Sequence, residues 1–552
     1  MLITVPPDTD EVENLSGADT SVAIVEEDAI PISPDEYCLQ PSAYRTLSQM
    51  LEKAAAEKKA KKRRKKQRKK RKLKKAEAHM LSYYKSPPTI SPADAIREFE
   101  RNLFLRQPEL YNLARAPDKL VFDPHHESAF FLGQAQNGYV GKPENYDGHI
   151  AVFGGSGSGK SSGIAIPTIA TWRSSIFAID FKGELVAQAL QQKRKSKILN
   201  LLSGAENDCW YDVFYFLRQD DSDNVVQNAR ELAQAIIPLP HDAPEPFWIM
   251  CAQNVLTGAI LYYFDLGAEF IEAMICIKTT PISHLLRTIS ANTTAGACIN
   301  LDISETPKLL AGISAELHNR IAVFATDKLV QKVLSPSEEL HLSPICWEDL
   351  EHEDIFIRVD HRRIRQWDGV LRLMLVQLIR TLESRPEKYS PEGAEIPPTL
   401  LLLDEFPQYG KIDIITSALQ TLRSKNTTIA LFCQSLSDLD MVYGVKTRCS
   451  IVENCPFKVV LNASDAETQR YFSSLVGTAK FPNKGISTNF NEIGQAVSYS
   501  IQIAEVRDLI IQPHEFAALQ DIVLLHPEPE RFCRLGKIMH HRTDTIMPKT
   551  LC

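Results

Sequence analysis

The stretch GGSGSGKSS, residues 154–162, allows the fold of this 552-residue chain to be predicted. It fits the pattern G-x-x-x-x-G-K-[ST], with Gly154, Gly159, Lys160 and Ser161 at the defining positions. Backbone N–H groups can wrap a phosphate chain only where residues tolerate unusual dihedral angles, which favours glycine. The apolar run HIAVFG precedes the stretch, and the helical pattern SSGIAIPTIATW follows. The pattern therefore predicts a strand, a phosphate-binding loop and a helix, and it disfavours a plain surface turn.

The loop residues are candidate ligands of a nucleoside triphosphate and its magnesium ion. We expect Lys160 to reach the β- and γ-phosphates and Ser161 to hold Mg²⁺. The helix that begins here adds the positive end of its dipole. The predicted nucleotide contacts are Gly154, Gly155, Ser156, Gly157, Ser158, Gly159, Lys160, Ser161 and Ser162.

A second motif, PPTLLLLDEFPQYGKI at residues 397–412, runs from four leucines into two acidic residues. A buried strand of this kind delivers the side chains at its end to the edge of a sheet. We expect Asp404 to hold Mg²⁺ and Glu405 to activate the attacking water. On its own the motif would equally fit a strand end with solvated acids, but the phosphate loop favours the catalytic interpretation.

Two further polar residues are candidates for the same chemistry. Gln434 ends the apolar strand IALFCQ, where an amide can sense the γ-phosphate or position water. Arg423, in LQTLRSK, is a candidate cation for the transition state, which some enzymes receive from a neighbouring subunit. The alternative for Arg423 is a surface arginine on a helix, and the residues alone leave that alternative open.

The composition is that of a soluble globular protein with more than one domain. The 552 residues exceed the roughly 250–300 at which single hydrophobic cores stop growing. Apolar residues make up 44% and charged residues 24%, which excludes collagen, a wholly disordered chain and a polytopic membrane protein. The 11 cysteines form no C-x-x-C pair, which argues against a disulfide framework and a zinc ribbon. A reducing cytoplasm is the expected compartment, and the N-terminus lacks a secretory signal pattern.

Charge is unevenly distributed along the chain. Residues 1–44 contain no Lys or Arg but ten Asp or Glu, which predicts an acidic, disordered tail over 1–43. The run Lys58–Lys75 then holds 15 of the 62 basic residues, so the rest of the chain has 47 basic against 69 acidic residues. We expect this run, inside a basic helical segment at 44–85, to contact DNA or an anionic membrane. The alternatives are a solubility tail and pairing with the acidic neighbour.

Apolar runs alternate with helical stretches from His149 onward. Five runs are short and apolar throughout, as in strands covered on both faces of a parallel α/β sheet: HIAVFG, SIFAID, TLLLLD, IALFCQ and KVVLN. FFLG and GYVG predict a hairpin before them. Residues 205–345 are helix-patterned with few strand signals, and the tail after Pro482 is less regular. The 18-residue apolar stretch Phe247–Phe264 reaches only the lower limit for a membrane span, so we interpret it as a buried helix.

The predicted fold is therefore an α/β P-loop NTPase with a mainly parallel sheet, an inserted all-α domain and a charged N-terminal tail. Its expected segments are the acidic tail 1–43, the basic segment 44–85, the two nucleotide-binding parts 86–204 and 346–552, and the inserted all-α domain 205–345.

The motifs together resemble the type IV coupling proteins (TraG-type) of bacterial conjugation and type IV secretion. The phosphate loop is followed by Pro167 and Trp172, and SSIFAIDFKGEL resembles the D-x-K-G-E segment of that family. PFWIMCAQNVLTGAILYY is similar to the aromatic-led helix of the family's all-α domain. DEFPQYGKI, the helix that carries Arg423, FCQSLSDL and ENCPFKVVLNASDAETQRYFSSLVG then follow in family order. The resemblance covers roughly residues 145–480.

The resemblance implies a RecA-like homo-hexameric ATPase that uses ATP and Mg²⁺. Such a motor brings relaxase-bound single-stranded DNA to a type IV secretion channel at the cytoplasmic face of the bacterial plasma membrane. By match, Asp404 coordinates the metal, Glu405 activates water, Gln434 senses the γ-phosphate and Arg423 serves the adjacent protomer. Many members begin with transmembrane helices. We find none here, and the acidic and basic segments take their place.

Two alternatives to this function remain open from the sequence. One is another hexameric motor, either a duplex-DNA translocase or a protein-secretion ATPase. The other is a recruitment adaptor with a vestigial ATPase site, although the intact nucleotide motifs argue against it.

Overall fold

The computed structural model describes residues 115–202, 209–219, 224–239, 246–299, 307–336, 341–490 and 496–538. The predicted tail 1–43 and the basic segment 44–85, including Lys58–Lys75, lie outside these residues. The described residues divide into two compact units. One contains residues 477–510, and the other contains 115–476 and 511–538.

Sixteen strands are present in the described residues. In chain order they are β1 Val121–Phe122, β2 Ala129–Ala135, β3 Gly138–Pro143, β4 Ile150–Phe153, β5 Ser175–Asp180, β6 Ser196–Leu201, β7 Cys209–Tyr211, β8 Ser343–Ile345, β9 Asp354–Val359, β10 Thr399–Leu403, β11 Thr427–Cys433, β12 Phe457–Val460, β13 Thr478–Phe490, β14 Ala496–Leu509, β15 Ile522–Leu525 and β16 Phe532–Leu535.

The same residues form fourteen α-helices. They are α1 Ile166–Thr171, α2 Glu184–Gln191, α3 Tyr215–Gln219, α4 Val225–Ile236, α5 Pro246–Asp265, α6 Phe270–Thr279, α7 Ile282–Ser290, α8 Thr293–Ala297, α9 Pro307–Thr326, α10 Lys328–Val333, α11 Ile364–Ser384, α12 Ile415–Thr421, α13 Leu436–Glu453 and α14 Ala466–Val476.

A nine-stranded sheet organises the larger unit, in the order β16-β15-β12-β4-β11-β10-β5-β9-β6. The seven strands from β12 to β6 are parallel, and β15 and β16 add an antiparallel edge. All five apolar runs singled out in the sequence are strands of this sheet. The predicted α/β fold with a mainly parallel sheet is confirmed.

Both faces of the sheet are covered, which explains why its strands are apolar throughout. On β4, Val152 belongs to one hydrophobic cluster with Ile169 of α1 and Trp172. The next side chain, Phe153, points to the other face and meets Phe472 of α14 at a ring-centroid distance of 5.0 Å. Successive side chains of a strand thus enter two different cores.

Helices α3 to α10 lie in the chain between β7 and β8, which pair in parallel. Helix α5 corresponds to the stretch Phe247–Phe264 that was predicted to be a buried helix, and it contacts α4, α6 and α9. Among the described residues, only α5 is long and apolar enough to cross a membrane. Half of its apolar stretch is buried inside the protein.

Three small sheets are also present in the described residues. Strands β2 and β3 form the predicted antiparallel hairpin, to which β1 adds a third strand. Strands β7 and β8 were not predicted because three residues are too few for a visible pattern. The smaller unit contains the long antiparallel pair β13–β14, where we expected a less regular tail. Pro482 lies inside β13, and a two-stranded ribbon tolerates it because both of its strands are edge strands.

Candidate functional site

The carboxyl ends of three neighbouring strands bring the predicted motifs together. Strand β11 lies between β4 and β10, and all three are parallel. The phosphate loop follows β4, Gln434 follows β11, and Asp404 follows β10. Because neighbouring strands lie about 4.8 Å apart, β4 and β10 are separated by about 10 Å, which places the loop and the acidic pair close together. Segments separated by more than 240 residues therefore share one edge of the sheet.

The loop adopts the backbone conformation that its glycines permit. Gly157 and Gly159 have φ angles of 74° and 97°, which favour glycine. A side chain on Gly154 would place its Cβ 2.4 Å from Ser158 Oγ, so a larger residue there would displace Ser158. Gly154 N also donates to the carbonyl oxygen of Cys433, 3.1 Å away, which anchors the loop to β11.

Lys160 lies within the loop with only 8% of its surface exposed. Its ammonium donates to the carbonyl oxygen of Gly154 and lies 3.4 Å from that of Gly155. Burial lowers the pKa of Lys160, and the carboxylates of Asp404 and Glu405 act in the opposite direction. The geometry therefore holds a cation inside the loop, facing the acidic pair.

Ser161 and Asp404 are in direct contact. Ser161 Oγ donates to Asp404 Oδ2 over 3.2 Å, joining the end of the loop to the end of β10. Burial and the adjacent Glu405 raise the pKa of Asp404, while Lys160 and the Ser161 hydrogen bond act against that rise. A divalent cation between these two oxygens would favour the charged carboxylate.

The residues at this edge fit a nucleotide with Mg²⁺. Hydroxyl and carboxylate oxygens are ligands that Mg²⁺ prefers, and Ser161 and Asp404 supply one of each. Ser158 Oγ is buried with no hydrogen-bond partner in the described part of the chain. An unpaired buried hydroxyl is costly, so a phosphate oxygen accepting from Ser158 would remove that cost.

The second acidic residue, Glu405, is held by its own loop. Its φ angle of 52° is unusual for a residue other than glycine. Its carboxylate accepts a hydrogen bond from Gln408 Nε2, and His361 Nε2 lies 3.6 Å from the same oxygen. The side chain is mostly buried, with 16% exposed, at the edge that holds the phosphate loop.

Gln434 and Arg423 lie at opposite ends of β11. Gln434 directly follows the strand and is half-buried at the edge that holds the phosphate loop. Arg423 precedes the strand, on the 3₁₀ turn Leu422–Lys425 that continues α12, and its side chain is exposed. The seven residues of β11 separate the two ends by about 23 Å at roughly 3.3 Å per residue. The structure thus groups Gln434 with the loop and the acidic pair, and it places Arg423 elsewhere.

Sequence reasoning missed Asn462, which lies directly beside the phosphate loop. Asn462 follows β12, the neighbour of β4 on the side away from β11, and its Oδ1 accepts from Gly155 N over 2.7 Å. The available signal was the one used for Gln434, a polar side chain at the carboxyl end of an apolar strand. The run KVVLN ends on this residue.

We expect Asn462→Ala to weaken nucleotide binding while leaving the fold intact. The substitution removes an acceptor that orients the Gly155 amide, and one hydrogen bond corresponds to an affinity loss of about five- to tenfold. Titration of a fluorescent ATP analogue measures the change. Asn224→Ala, at an exposed position before α4, is the control. Equal affinity of the Asn462 variant and the native protein would contradict the prediction.

His361 and Gln408, which both contact Glu405, were also missed. The contact of His361 joins residues far apart in the sequence, and that of Gln408 depends on the local turn after Glu405. His361 follows β9, two strands from β10, and its ring packs edge-on against Phe181 at 6.2 Å. Phe181 in turn stacks on Tyr409, whose hydroxyl donates to the carbonyl oxygen of Asp404. These contacts surround the acidic pair with aromatic side chains.

Known proteins resemble this chain over most of its length. The family described as type IV secretory system conjugative DNA transfer matches residues 115–546. Protein VirD4 of Rhizobium radiobacter is 24% identical over 415 residues, covering 72% of this chain and 58% of VirD4. The chain therefore spans less than two thirds of the length of this relative.

Solved structures share the fold. The conjugative coupling protein TrwBdeltaN70 superimposes with a TM-score of 0.56 at 16% identity, covering 78% of this chain and 91% of that one. TrwB in complex with ADP and Mg²⁺ gives a TM-score of 0.52 at 15% identity, covering 79% and 92%.

The resemblance inferred from the motifs is confirmed, because the family match includes both nucleotide motifs and extends over most of the chain. This protein belongs to the type IV secretory system conjugative DNA-transfer family, the coupling proteins.

Proposed function

We propose that this chain is an ATP-driven coupling protein that delivers relaxase-bound single-stranded DNA to a type IV secretion channel. The observation that carries the proposal is the hydrogen bond between Ser161 and Asp404, two residues 243 positions apart. It joins the predicted phosphate loop to the acidic pair at one edge of a parallel sheet, in a chain of the conjugative DNA-transfer family. TrwB, of the same fold, binds ADP and Mg²⁺.

In the proposed ATP hydrolysis, each residue at the carboxyl edge of the sheet has a different role. Lys160 neutralises charge on the β- and γ-phosphates, and Ser161 with Asp404 holds Mg²⁺, which supplies further charge neutralisation there. Glu405 accepts a proton from the attacking water, and Gln434 reports whether the γ-phosphate is present. Protein groups that are fixed before the reaction need little reorganisation during it.

Arg423 serves a neighbouring protomer in this proposal. It lies about 23 Å from its own site along β11, well beyond the reach of an arginine side chain. A ring of protomers, expected to be a homo-hexamer, brings the Arg423 of one copy to the nucleotide of the next. Hydrolysis is then coupled to the relative motion of neighbouring protomers, which is the conformational work that a DNA motor requires.

The partners follow from the family. We propose the relaxase with its single-stranded DNA, and the components of a type IV secretion channel, at the cytoplasmic face of the bacterial plasma membrane. The run Lys58–Lys75 is the proposed contact with anionic lipid or DNA, since each basic residue near an anionic surface contributes about 1 kcal/mol.

The decisive experiment is steady-state ATPase activity of the purified oligomer with single-stranded DNA, with duplex DNA and without DNA. Coupling of single-stranded DNA transfer predicts the strongest stimulation by single-stranded DNA. Stronger stimulation by duplex DNA would instead indicate a duplex translocase. Stimulation by protein cargo alone would indicate a secretion ATPase, and absence of hydrolysis would indicate an adaptor.

A further inference from the structure

A loop following α11 contacts the turn that carries Arg423, at the amino ends of β10 and β11. Helix α11 ends at Ser384, and residues 385–398 lead from it to β10. The Arg423 turn, Leu422–Lys425, leads directly into β11. Since β10 and β11 are parallel neighbours, the loop and the turn lie side by side at the edge opposite the phosphate loop.

Three contacts join the loop and the end of α11 to the turn. Lys425 Nζ lies 2.7 Å from Glu387 Oε1, and Lys388 N donates to the carbonyl oxygen of Ser424 over 2.7 Å. Thr421 Oγ1 donates to Glu383 Oε1 over 3.0 Å. The residues on both sides of Arg423 are therefore fixed, while Arg423 itself is exposed.

A second set of contacts fixes the loop to the segment between β3 and β4. Asp147 accepts hydrogen bonds from Lys388 Nζ and from Tyr389 Oη, the latter over 2.7 Å. Partial burial opposes the charge of Asp147, but these hydrogen bonds and the charges of Lys388 and Arg423 together lower its pKa. Asp147 is thus an ionised carboxylate in the electrostatic field of Arg423.

We propose that Asp147, Glu387, Lys388 and Lys425 form a mount that positions Arg423 for the nucleotide site of a second copy of this chain. The inference rests on the proposed function and names the residues that make its trans-acting arginine effective. They are positioning residues, because they act through Arg423 and touch no nucleotide of their own chain. Fixing the turn removes backbone freedom that would otherwise be lost when Arg423 reaches the transition state.

The occupant of this surface is a second copy because the chemistry of the two sheet edges is complementary. The amino edge presents Arg423 and the exposed ring of Tyr389, 76% accessible, which are residue types enriched in interface hot spots. The opposite edge contains the largely buried carboxylates of Asp404 and Glu405 and would hold the phosphates. Asp147 and Glu387 neutralise the two lysines of the mount. Docking the amino edge of one copy on the carboxyl edge of the next therefore pairs Arg423 with the negative charge of the phosphates.

Charge reversal within the mount tests the inference. We expect Glu387→Lys to lower kcat about tenfold, since it places a third cation beside Lys388 and Lys425. Complete loss of such an arginine lowers kcat by about 10³–10⁵ in GTPases, and this variant only displaces Arg423. Binding of an ATP analogue should stay within about twofold, because the protomer's own site is untouched. The swapped variant Glu387→Lys/Lys425→Glu should recover most of the loss. Glu395→Lys, an exposed side chain of the same loop without an ion pair in the described residues, is the matched control.

Mixed assemblies separate positioning from simple destabilisation. A Glu387→Lys protomer has an intact site and a displaced Arg423, whereas a Lys160→Ala protomer has a damaged site and an intact mount. Mixing them should give more ATPase activity than the sum of the two separate preparations. If the mount only stabilised the fold, Glu387→Lys would lower the melting temperature, and mixing the two variants would not restore activity.

The outcomes distinguish this inference from the proposed function. If the native oligomer does not hydrolyse ATP, the proposed function itself fails. If the native oligomer is active and Glu387→Lys keeps the native kcat, or if mixing restores nothing, the mount is wrong and the motor proposal stands.

Discussion

Lys160→Ala is expected to abolish ATP hydrolysis and to weaken nucleotide binding at least about a hundredfold. The ammonium is buried in the phosphate loop, where it hydrogen-bonds the carbonyl oxygen of Gly154 and faces two carboxylates. Its removal leaves the phosphates without a counter-charge in a partly dehydrated site, where an unpaired charge is costly. Equilibrium binding of a fluorescent ATP analogue and phosphate release together measure the effect.

Lys195→Ala is the control for that experiment. Lys195 precedes β6, and its side chain is 73% exposed in an ion pair with Glu353, so its loss should change neither quantity. If Lys160→Ala kept native binding of the ATP analogue, the assignment of this site to a nucleotide would be wrong. A variant that binds weakly but supports full DNA transfer would favour an adaptor over a motor.

Glu405→Gln is expected to give the second large effect, a fall in kcat of about a thousandfold with nucleotide binding retained. Glutamine keeps the shape of the side chain but cannot accept the proton of the attacking water. The hydrogen bond from Gln408 and the approach of His361 already orient this side chain, so the amide should occupy the same place. Single-turnover hydrolysis and analogue binding separate the two quantities.

The control for Glu405→Gln is Glu453→Gln, at the exposed end of α13. Native hydrolysis by Glu405→Gln would assign proton transfer to another group. Loss of binding in parallel with loss of hydrolysis would indicate that Glu405 holds the metal as well. Because Asp404 contacts Ser161 and Glu405 does not, we expect hydrolysis alone to fall.

The two edges of the central sheet carry different parts of the proposed mechanism. The carboxyl edge gathers the loop, the acidic pair, Gln434 and Asn462, and the amino edge carries Arg423 on its mount. A single strand, β11, connects Gln434 with the Arg423 turn. In the proposed assembly, this arrangement would give each protomer both a nucleotide site and an arginine that acts on the site of its neighbour.

Much of the fold could be predicted because its strands are buried on both faces. Such strands are short, continuous apolar runs, and several end on a polar residue that they deliver to the edge, as in TLLLLDE and IALFCQ. The phosphate loop was recognisable because its glycines meet a backbone requirement that few other residues satisfy. Strands of three residues and a proline-containing ribbon lacked such a pattern, so β7, β8, β13 and β14 were not predicted.

By itself, the sequence determined the class of fold, the phosphate loop, the acidic pair and the family, because each depends on residue type and local spacing. Only the tertiary structure decided which strands are neighbours, and strand order is set by packing between segments far apart in the chain. That order places Asn462 against Gly155 and Ser161 against Asp404. It also separates Arg423 from its own site by the length of β11, a distance that no local pattern in the sequence encodes.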